Sequence, residues 1–118
     1  MKIERLIREN SVTQIMYHVT PKRNIVKIMK HGLIPKTGKR GMYAHNNDAA
    51  IYLFVDMNTA EDAVMNWLGD EYPESTKLAL LSVLVNKDNI VDDPEIAGSY
   101  ITTIPIPPEN IKIINLNI

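Results

Sequence analysis

Twenty residues, Met16 to Pro35 (MYHVTPKRNIVKIMKHGLIP), most constrain what this chain can fold into. They read as the end of a strand, a polar turn, a short capped helix and a tight stop. Thr20 suits the N-cap and Pro21 the first helical position, where a missing N–H leaves nothing unsatisfied. Ile25, Ile28 and Met29 fall on one helical stripe. Gly32 fits a left-handed position after the helix, with Leu33 falling back on Ile28 as in a Schellman stop, and Pro35 bars further helix. His18 stands where strand gives way to helix. Imidazole, hydroxyl and backbone N–H groups meet there, which suits a polar or phosphorylated ligand.

The rest of the chain supplies strands to pair with that opening. Gln14 to Val19 reads as the first strand, Ile51 to Val55 (IYLFV) as a strand buried on both faces, and Leu78 to Val85 (LALLSVLV) as a central strand. Ile90-Val91, Tyr100 to Ile104 and Ile111 to Leu116 complete the set. Ile104-Pro-Ile-Pro-Pro108 is stiff and cannot pair regularly. Thr59-Ala-Glu-Asp opens a second helix, its apolar positions Ala60, Ala63, Val64, Trp67 and Leu68 spaced helically and Gly69 ending it. Trp67 reads as core rather than as a ligand platform. Met1 to Glu9 reads as a short amphipathic helix, packing on the sheet or on a second copy in a homodimer.

With 118 residues, 45% of them hydrophobic, one α+β domain spanning residues 1–118 is expected. There is no cysteine, so thiol catalysis, disulfides and zinc-thiolate sites are excluded. His45 and Asp48 have no third ligand at recognisable spacing, and no metal site is expected. No apolar run reaches membrane length and no signal peptide is legible, so a cytoplasmic location is the default. The net charge of −1 gives no global attraction to polyanions. Lys22, Arg23, Lys27 and Lys30, followed by Lys36, Lys39 and Arg40, are locally basic. They form either a solvated face or a phosphate-facing rim beside His18. Phosphate-loop and dinucleotide glycine motifs are absent.

Tyr17-His18-Val19-Thr20, followed by a helix and Gly32-Leu33-Ile34-Pro35, resembles the opening of the ADP-ribosyltransferase-like superfamily. It is most similar to small NAD-using members such as RNA 2′-phosphotransferases, which show Tyr-His-Gly-Thr and a later Gly-Leu-x-Pro; DNA ADP-ribosyltransferases are a further branch it resembles. The similarity runs over residues 15–116 and includes the Pro107-Pro108-Glu109 tail. It implies split, packed, antiparallel-rich sheets with two or three flanking helices. It implies NAD as the bound dinucleotide and a macromolecular acceptor, protein or nucleic acid. His18 would bond a ribose hydroxyl, and Tyr52 would stack on the nicotinamide ring. Tyr17, Val19, Thr20, Arg23 and Gly32 would help hold the dinucleotide. The chain departs from the family pattern in three places. Val19 replaces glycine. Tyr52 stands where RNA 2′-phosphotransferases have histidine. Ser99 occupies the third-strand slot that usually carries a glutamate, Glu95 lying too early and Glu109 within the proline turn. Three functions are therefore open: an NAD-dependent transferase, a catalytically inactive binding module on the same fold, and an α+β domain whose function lies elsewhere on its surface.

Overall fold

The most buried run among the described residues, Leu78–Asn86, is the strand β3, with seven of its nine side chains withdrawn from solvent. A computed structural model describes residues 13–36, 49–73, 75–94 and 96–118. The expected Met1–Glu9 helix and homodimer surface, Lys39, Arg40, His45, Asp48 and Glu95 lie outside the described residues. Strand β1 (Thr13–Pro21) pairs antiparallel with β3 along its whole length, from Thr13 opposite Asn86 to Pro21 opposite Leu78. Beyond β3 lies β6 (Ile111–Asn115). On the other flank of β1 come β2 (Ile51–Phe54), β5 (Ser99–Thr102) and β4 (Ile90–Asp92). The order in the sheet is β4-β5-β2-β1-β3-β6, with every pairing antiparallel. The molecule is thus α+β. Where separate packed sheets are expected from sequence, one sheet forms, its two halves joined at a single partner pair, Tyr17 and Phe54.

Each face of the sheet has its own core. On one side Met16, Ile51, Leu53, Leu81, Val83 and Val85 pack with Ile28 of α1 (Ile25–His31) and with Leu33, Ile106 and Ile111. On the other, Val19, Phe54, Leu78 and Leu80 meet Ala60, Ala63 and Leu68. These last come from α2 (Met57–Ala63), its π-helical continuation Val64–Leu68, and a final 3-10 turn, Gly69–Glu71. Trp67 packs in this second core, its ring 6.3 Å from that of Phe54 and tilted by 54°. The strand period of two divides β1 between the cores. Tyr17 and Val19 turn toward α2, and Met16 lies on the α1 side.

Three local expectations are corrected. Thr20 is not an N-cap. Thr20 and Pro21 stay in the ladder opposite Ala79 and Leu78, and the helical path begins only with the 3-10 turn Lys22–Asn24. The long partner strand overrides the local capping preference. Thr20 Oγ1 instead accepts a hydrogen bond from Asn24 Nδ2 at 3.4 Å. Helix α2 starts at Met57, before Thr59, because the Asp56 carboxylate caps it by accepting the Thr59 N–H at 2.7 Å. That bond, with a further one to the Thr59 side chain, lowers the Asp56 pKa below its ordinary value.

Gly32 does end α1, but not as a Schellman stop. Its φ of 85° and ψ of −179° lie in a region essentially reserved for glycine. The turn sends Leu33 into a bridge with Ile106, with N–H···O distances of 2.9 and 3.0 Å. A Cβ on Gly32 would stand 2.2 Å from the Ile106 carbonyl oxygen. The Gly-Leu-x-Pro segment and the proline-rich tail, far apart in sequence, are therefore locked together.

Candidate functional site

Beyond the Tyr17–Phe54 pair, β1 and β2 part company. β1 continues with β3 to Pro21, and β2 continues with β5 through Ile51 opposite Thr102. A cleft of about 690 Å³ opens at this divergence, between the ends of β1 and β2 and beside α1. That volume lies in the usual range for small-molecule and cofactor sites.

His18 spans the mouth of the gap. Its Nδ1 lies 2.8 Å from the Tyr52 carbonyl oxygen. A carbonyl only accepts, so Nδ1–H is the donor, and in the neutral ring Nε2 is then the accepting nitrogen. The bond fixes the imidazole between two strands that share no ladder at that level. Tyr52 itself lines the cleft, half-buried. Thr20 contributes a buried side chain, and Gly32 forms part of the wall where α1 ends.

Cations gather on one side. Arg23 and Lys27, one helical turn apart, line the cleft with His31 a further turn on and with Lys36. Among the described residues lining the cleft, Glu71 is the one carboxylate. It arrives from the far end of the α2 segment together with Tyr72. This arrangement can hold an anionic ligand against the cationic edge, with the His18 imidazole and the Glu71 side chain among the lining groups, while the Tyr52 hydroxyl is buried.

Five of the eight residues singled out from sequence meet here: His18, Thr20, Arg23, Gly32 and Tyr52. Tyr17 and Val19 do not line the cleft; their side chains serve the α2-side core. The valine that stands in place of glycine therefore fills core volume and does not narrow the cleft. Ser99 opens β5 opposite Phe54, is 2% exposed and is not among the lining residues. Sequence reasoning missed Glu71 and Tyr72. They sit in what reads as an acidic turn, and no local pattern says that this turn reaches across to β1. Among the described residues, no group of three or more metal-ligating side chains gathers. No helix of the described residues is long and apolar enough to cross a membrane. No protein-family model matches the chain, and no curated protein matches its sequence.

Proposed function

We propose that this chain is an ADP-ribosyltransferase-like protein that binds NAD in the β1–β2 cleft and transfers ADP-ribose to a macromolecular acceptor, or acts on an RNA 2′-phosphate. One observation carries the reading. His18 and Tyr52, 34 residues apart in sequence, line one cleft and are joined through the Nδ1-to-carbonyl bond. These are the two positions at which the family resemblance assigns ribose and nicotinamide contacts. The pairing of Leu33 with Ile106 adds support, since it brings two further segments of that resemblance together beside the same site.

The residues present suit the dinucleotide. Arg23, Lys27 and Lys36 offer charge to a pyrophosphate, Tyr52 is among the lining residues, and the cleft volume accommodates a ligand of this class. Bound NAD supplies an activated ribose–nicotinamide bond whose cleavage leaves positive charge on the ribose, as in glycoside cleavage. His18 orients a ribose hydroxyl through its ring nitrogen while Nδ1–H stays on the Tyr52 carbonyl. Thr20 and Arg23 hold the ligand at the α1 edge. Incubation with nicotinamide-labelled NAD and a mixed pool of protein, DNA and RNA tests the proposal. Release of nicotinamide that requires acceptor and is lost in His18→Ala is expected. No release with or without acceptor counts against transfer.

A second reading, a catalytically inactive nucleotide- or partner-binding module, is favoured by Ser99. Its slot carries no charge and is withdrawn from the cleft. Saturable ADP-ribose binding without NAD turnover is its signature.

A further inference from the structure

We infer that Glu71 supplies the carboxylate that the β5 position lacks, acting as the anionic catalytic residue of the cleft. The inference rests on the NAD reading above. Its starting point is an imbalance of charge within one cavity. Arg23, Lys27, Lys36, His18 and His31 all line it, and Glu71 is the one carboxylate among the described lining residues. Glu71 is half-buried and not a loose surface group.

Its position is built by the backbone. The helix that begins at Met57 widens to a π-helix over Val64–Leu68 and then tightens to a 3-10 turn over Gly69–Glu71. Such π segments are uncommon and recur at functional sites. Gly69 permits the change of pitch, because a Cβ there would stand 2.5 Å from the Val64 carbonyl oxygen. The turn closes with Tyr72 N–H on the Gly69 carbonyl at 3.3 Å. Tyr72 packs on the α2-side core while also lining the cleft, so the residue next to Glu71 is anchored. The two sides of the site thus come from different structures: His18 and Tyr52 from the parted strands, Glu71 from the end of the helix.

The reaction it would assist balances as follows. The bond between ribose C1′ and the nicotinamide nitrogen breaks, and its electron pair leaves with that nitrogen. Positive charge develops on the ribose. The acceptor's nucleophilic atom bonds to C1′ and releases its proton to solvent. Glu71 forms no bond and stabilises the developing cation. A fixed opposite charge aimed at charge that appears only in the transition state raises kcat and leaves ground-state binding nearly unchanged.

The test compares wild type, Glu71→Gln and Glu71→Asp in two assays: nicotinamide release from NAD with the acceptor pool, and calorimetric titration with ADP-ribose. The expected result is a fall in kcat on the order of 100-fold or more for Glu71→Gln. KM and the ADP-ribose Kd should stay within about threefold, with partial recovery in Glu71→Asp. If Glu71 only balances the neighbouring cations, Glu71→Gln binds the anionic ligand more tightly and keeps its kcat, which overturns the inference and leaves the NAD reading standing. Wild type that binds ADP-ribose but releases no nicotinamide also overturns it, in favour of the binding module. Wild type that binds neither NAD nor ADP-ribose overturns the NAD reading and the role of Glu71 together.

Discussion

Strand β1 has two very different flanks. Toward β3 it pairs without interruption over nine residues, from Thr13 to Pro21. Toward β2 it shares one partner pair and then separates. The first flank satisfies backbone donors and acceptors in a ladder and presents Leu81 and Val83 to a closed core. The second leaves a gap, bridged by the His18 ring and lined by polar and charged groups together with apolar ones such as Ile28, Leu33 and Ile51. Continuous pairing makes the strand rigid; interrupted pairing makes room. A site built at the gap inherits the rigidity of the other flank, which is what holding a ligand in fixed geometry needs.

The comparison predicts that substitutions on the β3 flank act on stability and substitutions on the β2 flank act on ligand. Leu81→Ala has the largest expected effect, because Leu81 is 0% exposed and its truncation leaves a cavity. It should cost about 2–5 kcal/mol in chemical denaturation. A smaller loss would mean that the β3 flank is less well packed than its burial indicates. Gly32→Ala follows. The backbone region alone costs on the order of 1–3 kcal/mol for a residue with a side chain, and the Cβ displaces the Ile106 strand segment as well. Its readout is a lower denaturation midpoint together with weaker ADP-ribose binding, since the cleft wall moves.

His18→Ala inverts the pattern. Stability should fall by about 1 kcal/mol, the worth of one hydrogen bond, while ADP-ribose binding weakens by about tenfold or more. Equal losses in His18→Ala and Leu81→Ala would erase the distinction between the flanks. Lys27→Ala should weaken binding several-fold, with the effect shrinking as salt rises because the side chain is exposed. The smallest effect belongs to Asp56. Its pKa is lowered in the folded state by the Thr59 bonds, so the stability it gives is present above the unfolded-state pKa. That stability is lost as pH falls through the depressed folded value. Asp56→Asn should lower the melting temperature slightly at neutral pH and remove that acid-side dependence, with ligand binding untouched.

The strands were legible because their apolar character is local. IYLF and LALLSVLV are continuous runs, and both are buried where they stand. The Ala60, Ala63 and Leu68 face was legible for the same reason, as was a stop at Gly32. What escaped depends on partners distant in sequence. Whether Thr20 caps a helix or extends a strand is decided by Ala79 across the ladder. The actual cap, Asp56, was hidden by Thr59, three residues on, whose following Glu61 and Asp62 also read as a helix start. The shape of the Gly32 turn is set by Ile106. The separation of β1 from β2 is a property of two sets of neighbours and of no single segment. For the site, the strand residues His18 and Tyr52 and the helix residue Arg23 could be singled out by motif and type. Glu71 and Tyr72 could not, because a change of helical pitch brings them to the cleft. Tyr17 and Val19 entered the candidate site through the resemblance of the Tyr17-His18-Val19-Thr20 tetrad, and the alternation of the strand turns their side chains to the α2-side core.

Thermal denaturation of wild type and His18→Ala across an ADP-ribose titration tests the central claim most directly. If the gap between β1 and β2 is the dinucleotide site, a hundredfold excess over Kd stabilises wild type by about 2.7 kcal/mol through mass action. At the entropy of unfolding of a chain this size, the melting temperature rises by roughly 10 °C. His18→Ala, melting about 4 °C below the unliganded wild type, should need at least about ten times more ligand for the same rise. A wild-type melting temperature that does not move with ADP-ribose or NAD, or a shift that His18→Ala reproduces at the same concentrations, contradicts it.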